Sequence, residues 1–207
     1  MSITRFGLDV GFIQRPLFAA SLWALLTWTW HPALHLGIFF ELLWLDLFPA
    51  GTFIPPHALF ALMTCICVVT ALDDPNMRQT VTVVVASFPL AYLGAWLEQK
   101  FRTRHNLVYT TLLDWSRHKS RHSPPHIRLI TRALTEHFSL FWGVFMLCGA
   151  IILAMVRMAP SWIWAGPEPG WPMLWVAASL GAILALRIRT AHALSAVCLL
   201  LALLANF

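Results

Sequence analysis

The sequence predicts an all-α polytopic membrane protein, on three observations. Of the 207 residues, 59% are apolar and only 11% charged, with a mean hydropathy of +0.71, a balance too apolar for a soluble domain. Seven apolar runs follow one another, at about 17–30, 33–48, 57–73, 80–98, 136–159, 172–186 and 190–206. One of them holds an ionisable residue, Glu41, next to a stretch rich in proline and glycine. Together the runs make a single membrane domain over residues 1–207, with no soluble portion large enough to carry chemistry of its own.

The first two runs are about 14–16 residues long, below the roughly 20 that a simple span needs, so short, tilted or re-entrant helices are expected there. Paired short segments point to a binding site. The second run carries Glu41 and Asp46 and then breaks into Phe48-Pro-Ala-Gly-Thr-Phe-Ile-Pro-Pro-His57. A carboxylate at bilayer depth costs roughly 2.5–3.5 kcal/mol on insertion scales, so one that persists marks a functional site by default. Pro49, Gly51, Pro55 and Pro56 remove backbone donors or permit unusual dihedrals, and regular helix should stop there. Irregular backbone at that depth survives only where protein buries it or water lines it.

Two readings of Glu41 stand side by side. Either it accepts hydrogen bonds from a polar solute, or it forms a structural ion pair with Arg15 or with a base on a partner. Asp46 and Gly51 belong to the same candidate site, although Asp46 also lies near enough to the segment end to reach the interface. His57 is read as a solute contact or as the cap of the third segment, and Trp44 as a stacking platform or one of many interfacial tryptophans. Arg15 is read chiefly as an anchor at a helix start.

Between the fourth and fifth runs, residues 99–135 hold eight of the fourteen basic residues, Arg102 and Arg104 among them, which makes this loop cytoplasmic by the positive-inside bias. Counting outward, Asp73, Asp74 and the stretch around Glu168 fall outside, while Arg187, Arg189 and the N-terminus fall inside. Within the loop Leu107, Val108, Leu112 and Trp115 recur at helical spacing beside basic residues, predicting an amphipathic helix on the membrane surface. The basic residues lie next to apolar runs, where they meet anionic lipid, so a nucleic-acid partner is excluded. Cys65, Cys67, Cys148 and Cys198 show no disulfide or metal spacing, and no removable signal peptide is read at the N-terminus. His31, His35 and His192 near apolar runs raise the possibility of a haem or quinone anchor, against which Pro32 is expected to disturb the turn carrying the first two. No nucleophile–base set or phosphate loop is present, and no cofactor is expected.

Several of these residues also form an ordered pattern. Gln14-Arg15-Pro16-Leu17, then Gly37-Ile-Phe-Phe-Glu41-Leu-Leu-Trp-Leu, Pro49-Ala-Gly51, Ile54-Pro-Pro56 and Phe88-Pro-Leu-Ala-Tyr-Leu-Gly94 resemble the IIC membrane subunit of mannose/sorbose-family sugar phosphotransferase systems. The resemblance is good over residues 14–98 and weaker but collinear to the end of the chain. It implies an inner-membrane permease that binds a hexose-like sugar together with a IID membrane subunit, in an oligomeric complex, while cytoplasmic IIA and IIB phosphocarriers supply the phosphoryl group. It places Glu41 on the glutamate expected to bond sugar hydroxyls. This chain has His57 where the pattern has an aspartate and Trp28-Thr29 where it has a Gly-Asp turn, and it is shorter than the pattern at both ends. The second reading is a non-transporting assembly or regulatory partner derived from the same family.

Overall fold

The computed structural model describes residues 15–45, 55–117, 126–165, 168–186 and 190–197, and gives the backbone alone for 105–109, 111–117, 126–130 and 132–133. Every regular element among the described residues is helical. Helix α1 spans Pro16–Thr27, opening with proline at a position whose N–H has no helical partner in any case. It stops at Trp28, which takes a left-handed conformation with φ of 58° and ψ of 16°. The Thr27 hydroxyl holds this turn, 2.8 Å from the Trp23 carbonyl and 2.6 Å from the Thr29 hydroxyl. Helix α2, Trp30–Leu43, then returns along α1.

The two helices touch almost backbone to backbone. A Cβ added at Gly37 would lie 2.5 Å from the Ala20 Cβ and 3.4 Å from the Leu17 Cα, so only glycine fits. Ala20, Ala24, Ala33 and Leu36 are fully buried along this seam. With 12 and 14 residues the helices are about 18 and 21 Å long, well short of a hydrocarbon core of about 30 Å.

Helix α3, Ala58–Thr70, lies against every helix introduced so far and against the two that follow. It is apolar on all sides, as a surrounded helix must be, with Ala61, Leu62, Thr64 and Cys65 fully buried. Thr64 is tolerated there because its hydroxyl donates to the Phe60 carbonyl at 2.8 Å.

Helix α4 runs unbroken over Met77–Arg117. Its start carries a reciprocal cap: the Asn76 N–H donates to Gln79 Oε1 at 3.1 Å, and the Gln79 N–H donates to Asn76 Oδ1 at 3.0 Å. The sequence predicts an apolar run ending near 98 and an amphipathic helix within the loop that follows. The two are one helix, because residues 95–117 contain neither glycine nor proline to end it. Pro89 lies inside this helix, and two residues on the Ala91 carbonyl accepts the His57 N–H at 2.8 Å.

Helix α5 is His126–Met158, a single turn of 3-10 helix covers Ser161–Trp164, and α6 is Trp171–Ala185; residues 190–197 are also helical. Arg157 donates to the Ala71 carbonyl at 2.8 Å, satisfying one of the orphaned carbonyls at the end of α3. Arg78 donates to the Ala165 carbonyl at 2.6 Å and so ties the 3-10 turn to the start of α4. One stripe of α5 packs on α3 through Phe141, Phe145, Ile152 and Val156. An adjoining face leaves Leu147, Ile151 and Met155 more than half exposed, and Phe138, in line with the packed stripe but nearer the start of the helix, is exposed as well. Among the described residues two helical stretches, Met77–Arg104 and Leu134–Met158, are long and apolar enough to cross a membrane. The other apolar runs form shorter helices or extend past the described residues.

A second close approach joins α4 to the start of α3. A Cβ at Gly94 would sit 2.8 Å from the His57 Cβ, whereas one at Gly143 on α5 would meet nothing within 4 Å. Gly94→Ala is therefore expected to lower stability by about 1–3 kcal/mol through overpacking. Gly143→Ala should raise it by up to about 1 kcal/mol through helix propensity. Thermal unfolding of both variants in one detergent checks the opposite signs.

Candidate functional site

Glu41 lies near the end of α2, and the antiparallel return of the hairpin brings it to the start of α1. Arg15 Nη1 donates to Glu41 Oε1 at 3.1 Å, and the Leu17 backbone N–H donates to Oε2 at 3.3 Å. The second bond satisfies an N–H of the first turn, which has no partner within its own helix. It also places negative charge at the positive end of the α1 dipole. The Glu41 side chain is 18% exposed and Arg15 is 42% exposed, so the pair sits at the edge of the packed region with its cation towards the outside. An ionised carboxylate offers about four acceptor positions, and these two donors occupy one on each oxygen. The arrangement can accept further bonds from hydroxyl or amide donors. It assembles no nucleophile with a base.

Trp44, one turn beyond Glu41, stacks on Phe40 with ring centres 5.4 Å apart and meets Phe88 of α4 at 6.4 Å. Phe88 in turn lies parallel to Phe39 at 6.1 Å. Trp44 is thus part of an aromatic layer joining α2 to the proline-containing stretch of α4. His57 occupies the N-cap position of α3 but makes no side-chain capping bond. Its ring packs on Phe60 at 6.3 Å and Phe141 at 6.1 Å. His137 stacks on the same Phe141 at 4.6 Å, and Phe101 lies 4.6 Å from His137. This second aromatic group was not foreseen, although His137 and Phe141 stand four residues apart on one helix face.

Asp46 and Gly51 lie outside the described residues. Of the basic anchors, Arg102 bonds Glu98 at 2.7 Å one turn earlier on α4, and Arg104 is exposed. Lys100 places its ammonium 5.5 Å from the Trp96 ring centre. An open cleft at the start of α4, lined by Arg78, Val81, Thr82, Ile163, Trp164 and Pro169, was not expected from the sequence. Its arginine is engaged by the Ala165 carbonyl.

A third polar group joins α2 to α6. His31 and His35 stand with ring centres 4.2 Å apart, and Trp171 and Trp175 lie 4.7 and 5.3 Å from His35. Pro32 does not separate the histidines, because it falls in the first turn of α2, where its missing N–H costs no helical bond. Among the described residues no three of His, Cys, Asp and Glu gather into a metal-ligating group. Compared with protein-family models, curated proteins and solved structures, the chain has no match.

Proposed function

We propose that the chain is an inner-membrane permease subunit that holds a hydroxyl-rich, hexose-like solute at Glu41. In this reading it corresponds to the IIC component of a mannose-family phosphotransferase system. It works in an oligomeric complex with a IID membrane subunit, while IIA and IIB phosphocarriers act from the cytoplasm. The N-terminus and residues 99–135 face the cytoplasm, where Lys100, Arg102 and Arg104 meet anionic headgroups. Membrane embedding is supported by α5. The core helix of a soluble protein is mostly buried, but only 11% of the most apolar window within Leu134–Met158 is buried. Phe138, Leu147, Ile151 and Met155 then face lipid or the IID subunit.

The observation that carries the solute site is the position of Glu41. It is a partly buried carboxylate at the open end of a helical hairpin too short to span a membrane, beside an aromatic layer and with acceptor capacity to spare. The test is calorimetric titration of the purified complex with a panel of hexoses and amino sugars. Glu41→Gln keeps the shape of the side chain and removes its charge, and is expected to abolish saturable binding while the complex stays assembled. Unchanged affinity in that variant would remove Glu41 from the site.

The bonds from Arg15 and Leu17 favour a second reading, in which Glu41 only fastens α1 to α2 and the chain is a non-transporting assembly partner. An assembled complex that binds none of the sugars would support it.

A further inference from the structure

We infer that His31 and His35 form a two-imidazole site for a divalent transition-metal ion of the kind that favours nitrogen ligands, such as Zn²⁺, Ni²⁺ or Cu²⁺. Four residues apart on α2, the two side chains share one face, and their ring centres are 4.2 Å apart with an interplanar angle of 31°. Two imidazoles bound to one tetrahedral ion at about 2.0–2.1 Å place their ring centres about 5 Å apart, so the pair needs to open by only about an ångström. His31 is exposed and free to make that adjustment.

The state of His35 is fixed by its partners. Its Nδ1 is hydrogen bonded to the His31 carbonyl, and a carbonyl can only accept. Nδ1 therefore carries the proton, and in the neutral ring the lone pair lies on Nε2. A backbone carbonyl holding Nδ1–H is the support that fixes the tautomer and orientation of metal-ligating histidines. Trp175 stacks on the same ring at 5.3 Å and 18°, and its indole N–H donates to the His35 carbonyl at 3.3 Å. Trp171 closes the adjoining side at 4.7 Å from His35 and 6.2 Å from His31. One imidazole is thus held rigid and the other is adjustable, a chelate that needs little ordering on binding. No third protein ligand joins them among the described residues, so water completes the coordination and the ion remains exchangeable.

The probe is the metal alone. Protein in detergent, with any affinity tag removed, is titrated by calorimetry with Zn²⁺, Ni²⁺ and Cu²⁺ chlorides. Saturable binding of one ion per chain is expected. His31→Ala should weaken it by at least about tenfold, a loss that even outer-shell partners cause. His35→Ala should do the same, but its ring also packs on two tryptophans, so the exposed His31 is the decisive variant. His192→Ala should leave the affinity unchanged, because its ring lies against the Leu184 carbonyl. Failure of the wild type to saturate, or equal affinity in His31→Ala and the wild type, would overturn the assignment. Neither result depends on whether Glu41 binds a solute.

Discussion

Gly37→Val is expected to cause the largest loss of stability of any single substitution in the α1–α2 hairpin. Even the first carbon of a side chain at this position would lie 2.5 Å from the Ala20 Cβ, closer than two carbons can stand. Neither atom can rotate away, since a Cβ is fixed by its backbone, so the helices themselves must separate. Overpacking of this kind costs about 1–3 kcal/mol, and collision with a fixed atom puts this case at the upper end. The separation would also reach Glu41, which stands four residues beyond Gly37 on the same face of α2 and takes its bonds from the start of α1. Loss of the Arg15 and Leu17 contacts should therefore accompany the packing defect. A compensating change separates this mechanism from a general intolerance of substitution. Ala20→Gly removes the opposing carbon at a helix-propensity cost of about 1 kcal/mol, and should restore most of the stability lost in Gly37→Ala. Thermal unfolding of the three variants by circular dichroism provides the comparison. A Gly37→Val protein as stable as the wild type would show that the hairpin is not packed this closely.

Gly37 also shows what could be read from the chain alone. That the described elements are helical was legible, because burial and backbone pairing are local consequences of composition. Glu41 stood out because a carboxylate in such a run is costly, and Arg15 was already a possible partner. The Leu17 N–H could not be named in advance, since it depends on a two-residue turn at a left-handed Trp28, a conformation tryptophan does not advertise. The continuation of α4 to Arg117 was obscured by a change in hydropathy near residue 98, although the backbone there has no reason to stop. Charge pattern and helix boundary are different signals, and the loop reading followed the first. Trp44 stood out as a stacking platform, but its layer with Phe40 and Phe88 needed α4 to arrive from 44 residues away. The His31–His35 pair was legible as a spacing. The tryptophans that fix His35 come from α6, 136 and 140 positions further along, and no local rule joins them.

Removing Arg15 and neutralising Glu41, singly and together, is expected to show whether the carboxylate serves the fold, the solute or both. Arg15→Ala leaves Glu41 the Leu17 N–H as its donor among the described residues, and should cost about 1 kcal/mol, since the arginine is more than a third exposed and its pairing is screened. Glu41→Leu should cost more, roughly 1–3 kcal/mol, because it leaves both the guanidinium and the first-turn N–H without this acceptor. Glu41→Gln retains a carbonyl oxygen that can still accept the Leu17 N–H, so its cost should fall near that of Arg15→Ala. The double variant Arg15→Ala/Glu41→Gln should then be hardly less stable than either single one, with a coupling energy of about 0.5–1 kcal/mol between the two positions. Unfolding in detergent measures these differences, and sugar titration of the same proteins reads the other role. If Glu41 is a solute ligand held ready by Arg15, Arg15→Ala weakens binding partially through disorder of the carboxylate, and Glu41→Gln removes it although both are equally stable. If the carboxylate only fastens α1 to α2, either the wild type and every variant fail to bind sugar, or sugar held elsewhere in the complex is lost only in step with stability across the set. The ranking of Arg15→Ala against Glu41→Gln in binding, at matched stability, is the quantity on which the two readings of Glu41 part.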